Sequence, residues 1–566
     1  MTSRQPRLVL IDPCLDGLGS HPYQYAAAVL TAAGAEGWRC DLVCLAGSRF
    51  PAAAGSGWRV WPVLRQRGHS RLTAFAELDR TTPDGRLRWQ PPWTRWHRAW
   101  QRRGRIEAFA ADVAPVIAEL MAGDIVLVAT ASELDGAGLA RAISTVSPPL
   151  GVGWHLQVHA PLFRGVGADS AVELQRLCRV STILASAEST ARGHTLRWHA
   201  PTAELAGEWE RLRGDHVSVL PYPVTVPPTP AGRPTQRTAQ APGRRLRVAA
   251  LGDARPEKNS QTLCAIVEAV AADPSLVDRY TFAIQTNTGF PKGSSRPADR
   301  AVAAALNALA ARDDGLVECL SGPLDDAAYR RELAAADALL LAYDQDRYRH
   351  RCSAILLEAM AAGRVPIVSG GGWMARQLEE ASYDHIASIL AAHSPLAGPA
   401  WTCPRVAAQQ QLLLPVAIPP ESDMLVVDVC WPTTGRAAFR EPAVRIEFTA
   451  GAALPASMIT QAMPCGRPSR VMFRIQRGSG PVGLTVAPVP KRAAVELSAV
   501  RVHWLTCGSP VPLGAAGIVV AGPAEVPAAL RELADHATHY AAGAARQAER
   551  VRRDHCAAAV LEALRR

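Results

Sequence analysis

The stretch "ALGDARPEKN" (residues 250–259) places Gly252, Arg255 and Lys258 between an apolar run and the start of a helical pattern. A glycine there lets a ligand approach the backbone, and two cations at a helix start oppose the helix dipole unless an anion joins them. A diphosphate would satisfy that arrangement through charge-assisted hydrogen bonds. The plain alternative is a solvated turn in which Glu257 partners Lys258. A second stretch, "RHRCSAILLEAMAAGRVPIVSGGG" (349–372), sets Glu358 among Ile355, Leu356, Leu357, Ala359 and Met360. Ser353 reads as the cap of that helix and Gly363 as its stop. A carboxylate so placed can accept two hydrogen bonds from the vicinal hydroxyls of a ribose; an exposed Glu on an amphipathic helix is the other reading. After the next strand, Gly371 lies in a glycine run. Its backbone N–H groups could meet a phosphate or a sugar hydroxyl, or form only a strand-to-helix turn.

Two histidines, His155 and His159 in "GWHLQVHAPLF", stand at a strand end and are candidates for a proton-accepting role toward an acceptor. Structural histidines are the competing reading. Their spacing could also begin a metal site, but no third ligand is visible, and no metal is expected. No P-loop pattern occurs. The segment "RWQPPWTRWHRAWQRRGR" (88–105) interleaves Trp with Arg. It fits single-stranded nucleic acid, an interfacial membrane region, a cover over an acceptor cleft, or a helix packed on its own domain. Nucleic acid is not carried forward as a partner.

The elements that must position these residues follow from the apolar patterning. A chain of 566 residues with 48% hydrophobic and 20% charged residues is globular and too long for one core. "RLVLID", the helical "GLGSHPYQYAAAVLTAAGAEGW" and "CDLVCL" form a βαβ unit, which predicts a parallel, doubly wound sheet. Strands are also expected at "DIVLVAT", "LGVGWHLQ", "VSTILAS" and "HVSVLPYPV". A Pro-, Thr- and Arg-rich linker (224–245) separates this first domain (1–223) from a second α/β set over 246–394. From 395 to 506 short strand-like runs replace helical periodicity, which predicts an inserted antiparallel β-sandwich. Residues 507–566 return to strand and helices and are assigned to the second α/β domain. Trp431 and Trp504 of the insert are read as core.

Formal charge is +10, which suits an anionic partner or reflects an Arg-rich composition, since Lys occurs only at 258, 292 and 491. The twelve cysteines include no C-x-x-C pair, which points to a reducing compartment. With no apolar stretch of about 20 residues and no signal core, the expectation is cytoplasmic, with peripheral attachment at the inner face of the cell membrane as an option.

Taken together, "LGDARPEKN" and "RCSAILLEAMAAGRVPIVSGG" resemble the second domain of GT-B retaining glycosyltransferases, in particular glycosyltransferase family 4. "ELAAADALLLAYD" and "GAAGIVVAGPAEVPAAL" fit the same pattern, and "GLGSHPYQYAAAVL" looks like the family's Gly-rich first-domain loop. The resemblance covers the chain outside the insert. It implies a nucleoside-diphosphate-sugar donor, a glycan or lipid-linked acceptor, and retention by front-face substitution without metal or other cofactor. Carried over, Gly252, Arg255 and Lys258 bind the diphosphate, Glu358 the ribose, and Gly17 and Gly19 approach the donor. Ser353 and Gly371 join that set. Three departures are visible. The family's carboxylate eight residues before Glu358 is His350 here, its Arg after the turn glycine is Asp253, and its usual Gly is Asn259. His350 and Arg351, with Tyr348, are the candidates to act where that carboxylate is missing. The D-x-D of Asp344 and Asp346 is the metal mark of the other glycosyltransferase fold, GT-A, which has one sheet domain, so both are read as loop residues. A catalytically degenerate GT-B protein acting as a glycan-binding or scaffold module is the alternative; a sugar-nucleotide epimerase is disfavoured.

Overall fold

The structure, a computed structural model, describes residues 5–15, 17, 21–48, 57–68, 73, 92–162, 171–191, 193–224, 244–379, 396–402, 405–432, 443–448, 452–453, 457–463, 467–478, 482–489, 494–508 and 515–566. Gly19 and most of the linker (225–243) lie outside the described residues. The chain divides into two compact units. One comprises Met1–Thr225, His350–Ala354 and Arg553–Arg566; the other comprises Val226–Arg349 and Ile355–Arg552.

The first unit is built on a seven-stranded parallel sheet: β1 (Arg7–Ile11), β2 (Arg39–Leu45), β3 (Arg59–Leu64), β4 (Ile125–Ala131), β5 (Gly153–Val158), β6 (Leu196–Ala200) and β7 (Ser218–Val219). Their order in space is β3-β2-β1-β4-β5-β6-β7. All five residues of β1 are buried, as a Leu- and Val-rich strand covered on both faces requires. The order reverses between β1 and β4, and in such sheets ligands bind beyond the carboxyl ends of the strands at that reversal. The strand expected at "VSTILAS" lies instead in helix Ala171–Thr190. Its buried residues Leu177, Val180, Leu184 and Ala187 recur at three- and four-residue intervals, a helical period hidden inside an apolar run. The last helix, Ala557–Arg565, was assigned to the second domain from sequence. It instead belongs to the first unit, where Val560, Leu561 and Leu564 join the core formed by helix His21–Ala35 and β1.

The second unit repeats the plan with β8 (Leu246–Ala250), β9 (Tyr280–Gln285), β10 (Val317–Leu320), β11 (Ala338–Leu341), β12 (Val365–Ser369) and, far along the chain, β22 (Ile518–Val520). The parallel order is β10-β9-β8-β11-β12-β22, with the reversal between β8 and β11. The two sheets therefore establish the expected α/β fold class with two Rossmann-like halves.

Among the described residues between β12 and β22 run nine antiparallel strands: β13 (Leu396–Trp401), β14 (Leu412–Val416), β15 (Met424–Cys430), β16 (Ala443–Phe448), β17 (Ala452–Ala453), β18 (Ser457–Gln461), β19 (Ser469–Ile475), β20 (Val482–Val489) and β21 (Ala499–Leu505). They form sheets of order β13-β21-β15-β19-β17 and β14-β20-β16-β18. Leu414, Ile446 and Val486 from one sheet share a core with Leu425, Val471, Val502 and Trp504 from the other. On the opposite face of the five-stranded sheet Met424, Val426, Met472 and Leu505 form a second, smaller buried cluster.

The insert is tied to the second α/β sheet through β18. Ser457 Oγ donates to Glu525 Oε1 at 3.0 Å, and Thr460 Oγ1 to the buried Glu379 at 3.2 Å. A further polar link joins Arg474 of β19 to Glu532 and His536 of helix Val526–Asp554.

Candidate functional site

At the reversal point of the second sheet lie Gly252, Arg255 and Lys258, with Ile355 of the Glu358 helix packed against Gly252. Beyond β8 the chain turns at Gly252, whose φ of +83° favours glycine. A methyl group there would lie 2.6 Å from Ile355 Cδ1 and 2.8 Å from Lys258 Nζ, so a side chain would have to displace the ends of both. The Gly252 N–H donates to Gln285 Oε1 at 2.7 Å. The α-helix starts at Leu263, later than the sequence predicts, because two short 3-10 turns, Pro256–Lys258 and Ser260–Thr262, intervene. Between them Asn259 takes φ +54°, ψ +29°. That left-handed conformation accounts for a position at which the family uses glycine, since Asn tolerates it better than most residues. Asn259 adds a bond glycine cannot make, donating its Nδ2–H to Ala342 O at 2.9 Å, directly beyond β11.

Lys258 is the cation of this turn. Its ammonium lies 5.7 Å from the centre of the buried Tyr343 ring. Among the described residues no carboxylate is within ion-pair distance of it, contrary to the reading in which Glu257 partners it. Burial, followed by the repulsion of Arg255, pushes its pKa down to about 8. Arg255 is engaged: its Nη2 donates to Asp253 Oδ2 at 2.8 Å, with Glu257 3.9 Å from Nη1. Burial alone would raise the Asp253 pKa, but the bonds from Arg255 and Asn287 hold it below the usual range. The acid standing where the family has an arginine thus neutralises the nearby arginine.

Helix Ala354–Ala361 sends Ile355 against Gly252 and carries Glu358 one turn on. Glu358 is buried, and its Oε2 accepts a hydrogen bond from the Tyr329 hydroxyl on helix Asp326–Ala335. It is therefore not an exposed surface glutamate. Burial raises its pKa to about 7, opposed by the Tyr329 bond. Tyr329 carried no signal in the sequence, sitting in a plain "DAAYRRELAAA" helix.

The glycine turn beyond β12 differs from its expectation. The Gly370 N–H donates to Val520 O at 2.8 Å, the Gly371 N–H to Ile459 O at 3.2 Å, and the Trp373 N–H to Arg349 O at 2.9 Å. A methyl group on Gly371 would sit 2.7 Å from Ile459 Cγ2. Strand β18 thus occupies the turn, and Gly371 has no amide to offer a phosphate or sugar; its glycine is required by packing and by a φ of +71°.

In the first unit, His350 is buried with its Nδ1 against Glu208 Oε1, and its carbonyl accepts from Thr202 Oγ1 at 2.8 Å. The second oxygen of Glu208 accepts the Leu162 N–H at 2.9 Å. Position 350 therefore lacks a carboxylate of its own but holds one from helix Ala203–Arg213. His350 Nε2 is buried with no hydrogen-bond partner among the described residues. The signal for Glu208 was its repeat with Glu204 on a face shared with Leu205 and Trp209, where a charged residue demands a partner. Arg351 is half-buried and Ser353 buried.

The two acceptor-side histidines part company. His155 is fully buried in β5, stacked on His199 with ring centres 5.1 Å apart and its Nδ1 2.9 Å from His199 Nε2. Burial holds His155 neutral, down to about 3, and His199 down to about 4. His155 is a sheet residue with no access to an acceptor. His159 is half-buried beyond β5, with Nε2 2.9 Å from Ala129 O and Tyr25 and Tyr222 edge-on. Gly17 follows β1 in a bend. At the reversal point of this sheet the sequence reading passed over Asp12, a buried acid accepting the Cys14 N–H at 2.8 Å and the Thr130 hydroxyl. An acid ending a buried strand was the available sign. Asp344 caps the short helix Gln345–Tyr348 by accepting the Arg347 N–H at 3.0 Å, a loop role. Among the described residues no group of three or more metal-ligating side chains occurs, and no helix is long and apolar enough to cross a membrane.

No family model matches the chain, and no curated protein matches it. Solved structures that are similar include a sucrose-phosphate synthase from Thermosynechococcus elongatus, at 16% identity over 69% of this chain and 90% of that one, TM-score 0.40. A UDP-forming α,α-trehalose-phosphate synthase from Burkholderia vietnamiensis matches at 13% over 66% and 86%, TM-score 0.43. The N-terminal domain of trehalose-6-phosphate phosphatase from Candida albicans matches at 12% over 67% and 86%, TM-score 0.46. Likeness at these scores carries no argument about this chain, whose fold rests on its own strand orders.

Proposed function

We propose that this chain is a glycosyltransferase of the GT-B type that binds a nucleoside-diphosphate sugar at the reversal point of its second sheet and transfers the sugar with retention to a glycan or lipid-linked acceptor. The observation that carries this reading is Lys258. A half-buried ammonium with a depressed pKa, no carboxylate within ion-pair distance among the described residues and a glycine turn against it is set to receive an anion. Glu358 supports it as the acceptor of ribose hydroxyls, with Tyr329 holding one carboxylate oxygen.

In the proposed reaction Lys258 stabilises the charge that develops on the departing diphosphate. Arg255 contributes once the diphosphate competes with Asp253 for its guanidinium. The bond between the anomeric carbon and the diphosphate oxygen breaks, the acceptor oxygen bonds the same face, and its proton passes to the diphosphate. No metal or other cofactor takes part.

Two observations favour the second reading, a glycan-binding or scaffold protein: Asp253 already pairs Arg255, and Ile459 closes the glycine turn. A panel of UDP, GDP and their sugars separates the readings. Thermal stabilisation by one nucleotide, with slow donor hydrolysis lost in Lys258→Ala and Glu358→Gln, supports the transferase. Stabilisation without hydrolysis or transfer supports a degenerate donor site, and no response to any nucleotide contradicts both nucleotide roles.

A further inference from the structure

Helix Pro92–Ile117 is two different helices end to end. Its second half is anchored, with Phe109, Ala110, Val113, Val116 and Ile117 buried, largely against helix Glu133–Val146. Between Trp93 and Gly104 not one described side chain is buried. Instead Trp93, Trp96 and Trp100 stand 68%, 74% and 63% exposed. Spacings of three and four put the three indoles on one face, and Arg103 continues that face as an exposed cation. His97 stacks on Trp100 with centres 6.1 Å apart, which stiffens the stripe. The structure thus rules against the reading in which this segment packs on its own domain.

We propose that this face docks on an anionic lipid bilayer, the indoles entering the headgroup region and the arginines meeting the phosphates. Tryptophan suits that depth because its ring is apolar and its N–H needs a polar partner. Charge points the same way: with Arg105 buried on Asp135, residues 88–104 still hold five arginines and no acid, so lipid anions neutralise what a second copy of this chain would oppose. A helix lying flat buries all three indoles at once, whereas stacking on nucleic-acid bases engages rings singly and makes no use of their alignment. The surface belongs to the first unit and is independent of the nucleotide site.

The test is co-sedimentation of the full chain with vesicles of phosphatidylcholine alone and of phosphatidylcholine with about one third phosphatidylglycerol. The expected result is binding to the anionic vesicles that weakens with salt, a blue shift of tryptophan emission, and a loss of about tenfold or more in W93A/W96A/W100A at unchanged melting temperature. Should that variant fail to fold, quenching of wild-type emission by brominated lipid replaces it, with quenching expected. The proposal is overturned if wild type ignores anionic vesicles at low salt, or if the folded triple variant binds them as wild type does. It is equally overturned if the indoles instead mediate self-association, or binding to a single-stranded oligonucleotide, without lipid binding.

Discussion

Two glycine turns of the second sheet look alike in sequence and both spend their glycine amide inside the fold, so they differ in what packs against them, a cation at one and an apolar strand at the other. Gly252 beyond β8 and Gly371 beyond β12 both take positive φ, +83° and +71°, and both would crowd a side chain. Around Gly252 the crowding atoms are Ile355 and the ammonium of Lys258. Around Gly371 they come from Ile459 of β18, whose carbonyl takes the Gly371 amide as Gln285 takes that of Gly252. What marks the first turn is therefore the ammonium of Lys258 beside it and not a free glycine amide, whereas β18 makes the second a packing joint.

The largest expected effect tests that joint. Ile459 is 2% exposed, and Ile459→Ala is expected to lower stability by about 2–5 kcal/mol through lost packing. Urea unfolding measures it, and nucleotide affinity is expected to stay unchanged. If nucleotide binding falls with stability little altered, the two turns are not distinct in role. Next is Lys258→Ala, expected to weaken UDP or GDP binding by about 2–3 kcal/mol, since a charge-assisted bond to phosphate is lost in a half-buried place. Asp253→Asn is expected to act in the opposite direction and by less, strengthening nucleotide binding by under about 1 kcal/mol as Arg255 is released from a partly exposed pair.

Acidity sharpens the contrast further. Glu358 ionises only near pH 7 and Lys258 loses its charge near pH 8, so nucleotide affinity is expected to peak between those values. Glu358→Gln flattens the acid limb and Lys258→Ala the alkaline limb. The folded chain holds the Glu358 proton more tightly than the unfolded one, so this contribution to stability is complete below about 4.5 and is lost as pH rises through about 7. Melting temperatures of Glu358→Gln across pH 4–8 check it: the variant is expected to lose less stability than wild type over that rise, and parallel curves count against a buried, protonated Glu358.

The sheets were legible because their strands are continuous Leu, Val and Ile runs bounded by turns. Helix Ala171–Thr190 was not, because "VSTILAS" is apolar enough to mask a spacing visible only over a longer window. At the proposed site, Gly252, Lys258 and Glu358 stand out in the sequence because their local patterns need a special backbone or carry an odd charge. Tyr329 carries no local sign of its pairing with Glu358, and Glu208 shows locally only that it needs a partner, not that the partner is His350, 142 positions on. Gly371 was read as a ligand turn for the converse reason: the strand that consumes its amide lies about 90 residues on. Asn259 shows a departure the fold tolerates, since Asn reaches the left-handed backbone angle more readily than most residues and adds a bond to Ala342 O.

The central claim is that Lys258 at the Gly252 turn receives a nucleoside diphosphate. Calorimetric titration of wild type, Lys258→Ala and Ile459→Ala with UDP and GDP tests it most directly. The account predicts that one nucleotide binds wild type and Ile459→Ala alike and binds Lys258→Ala at least about thirtyfold more weakly. Equal binding to wild type and Lys258→Ala, or binding to none of the three, contradicts it.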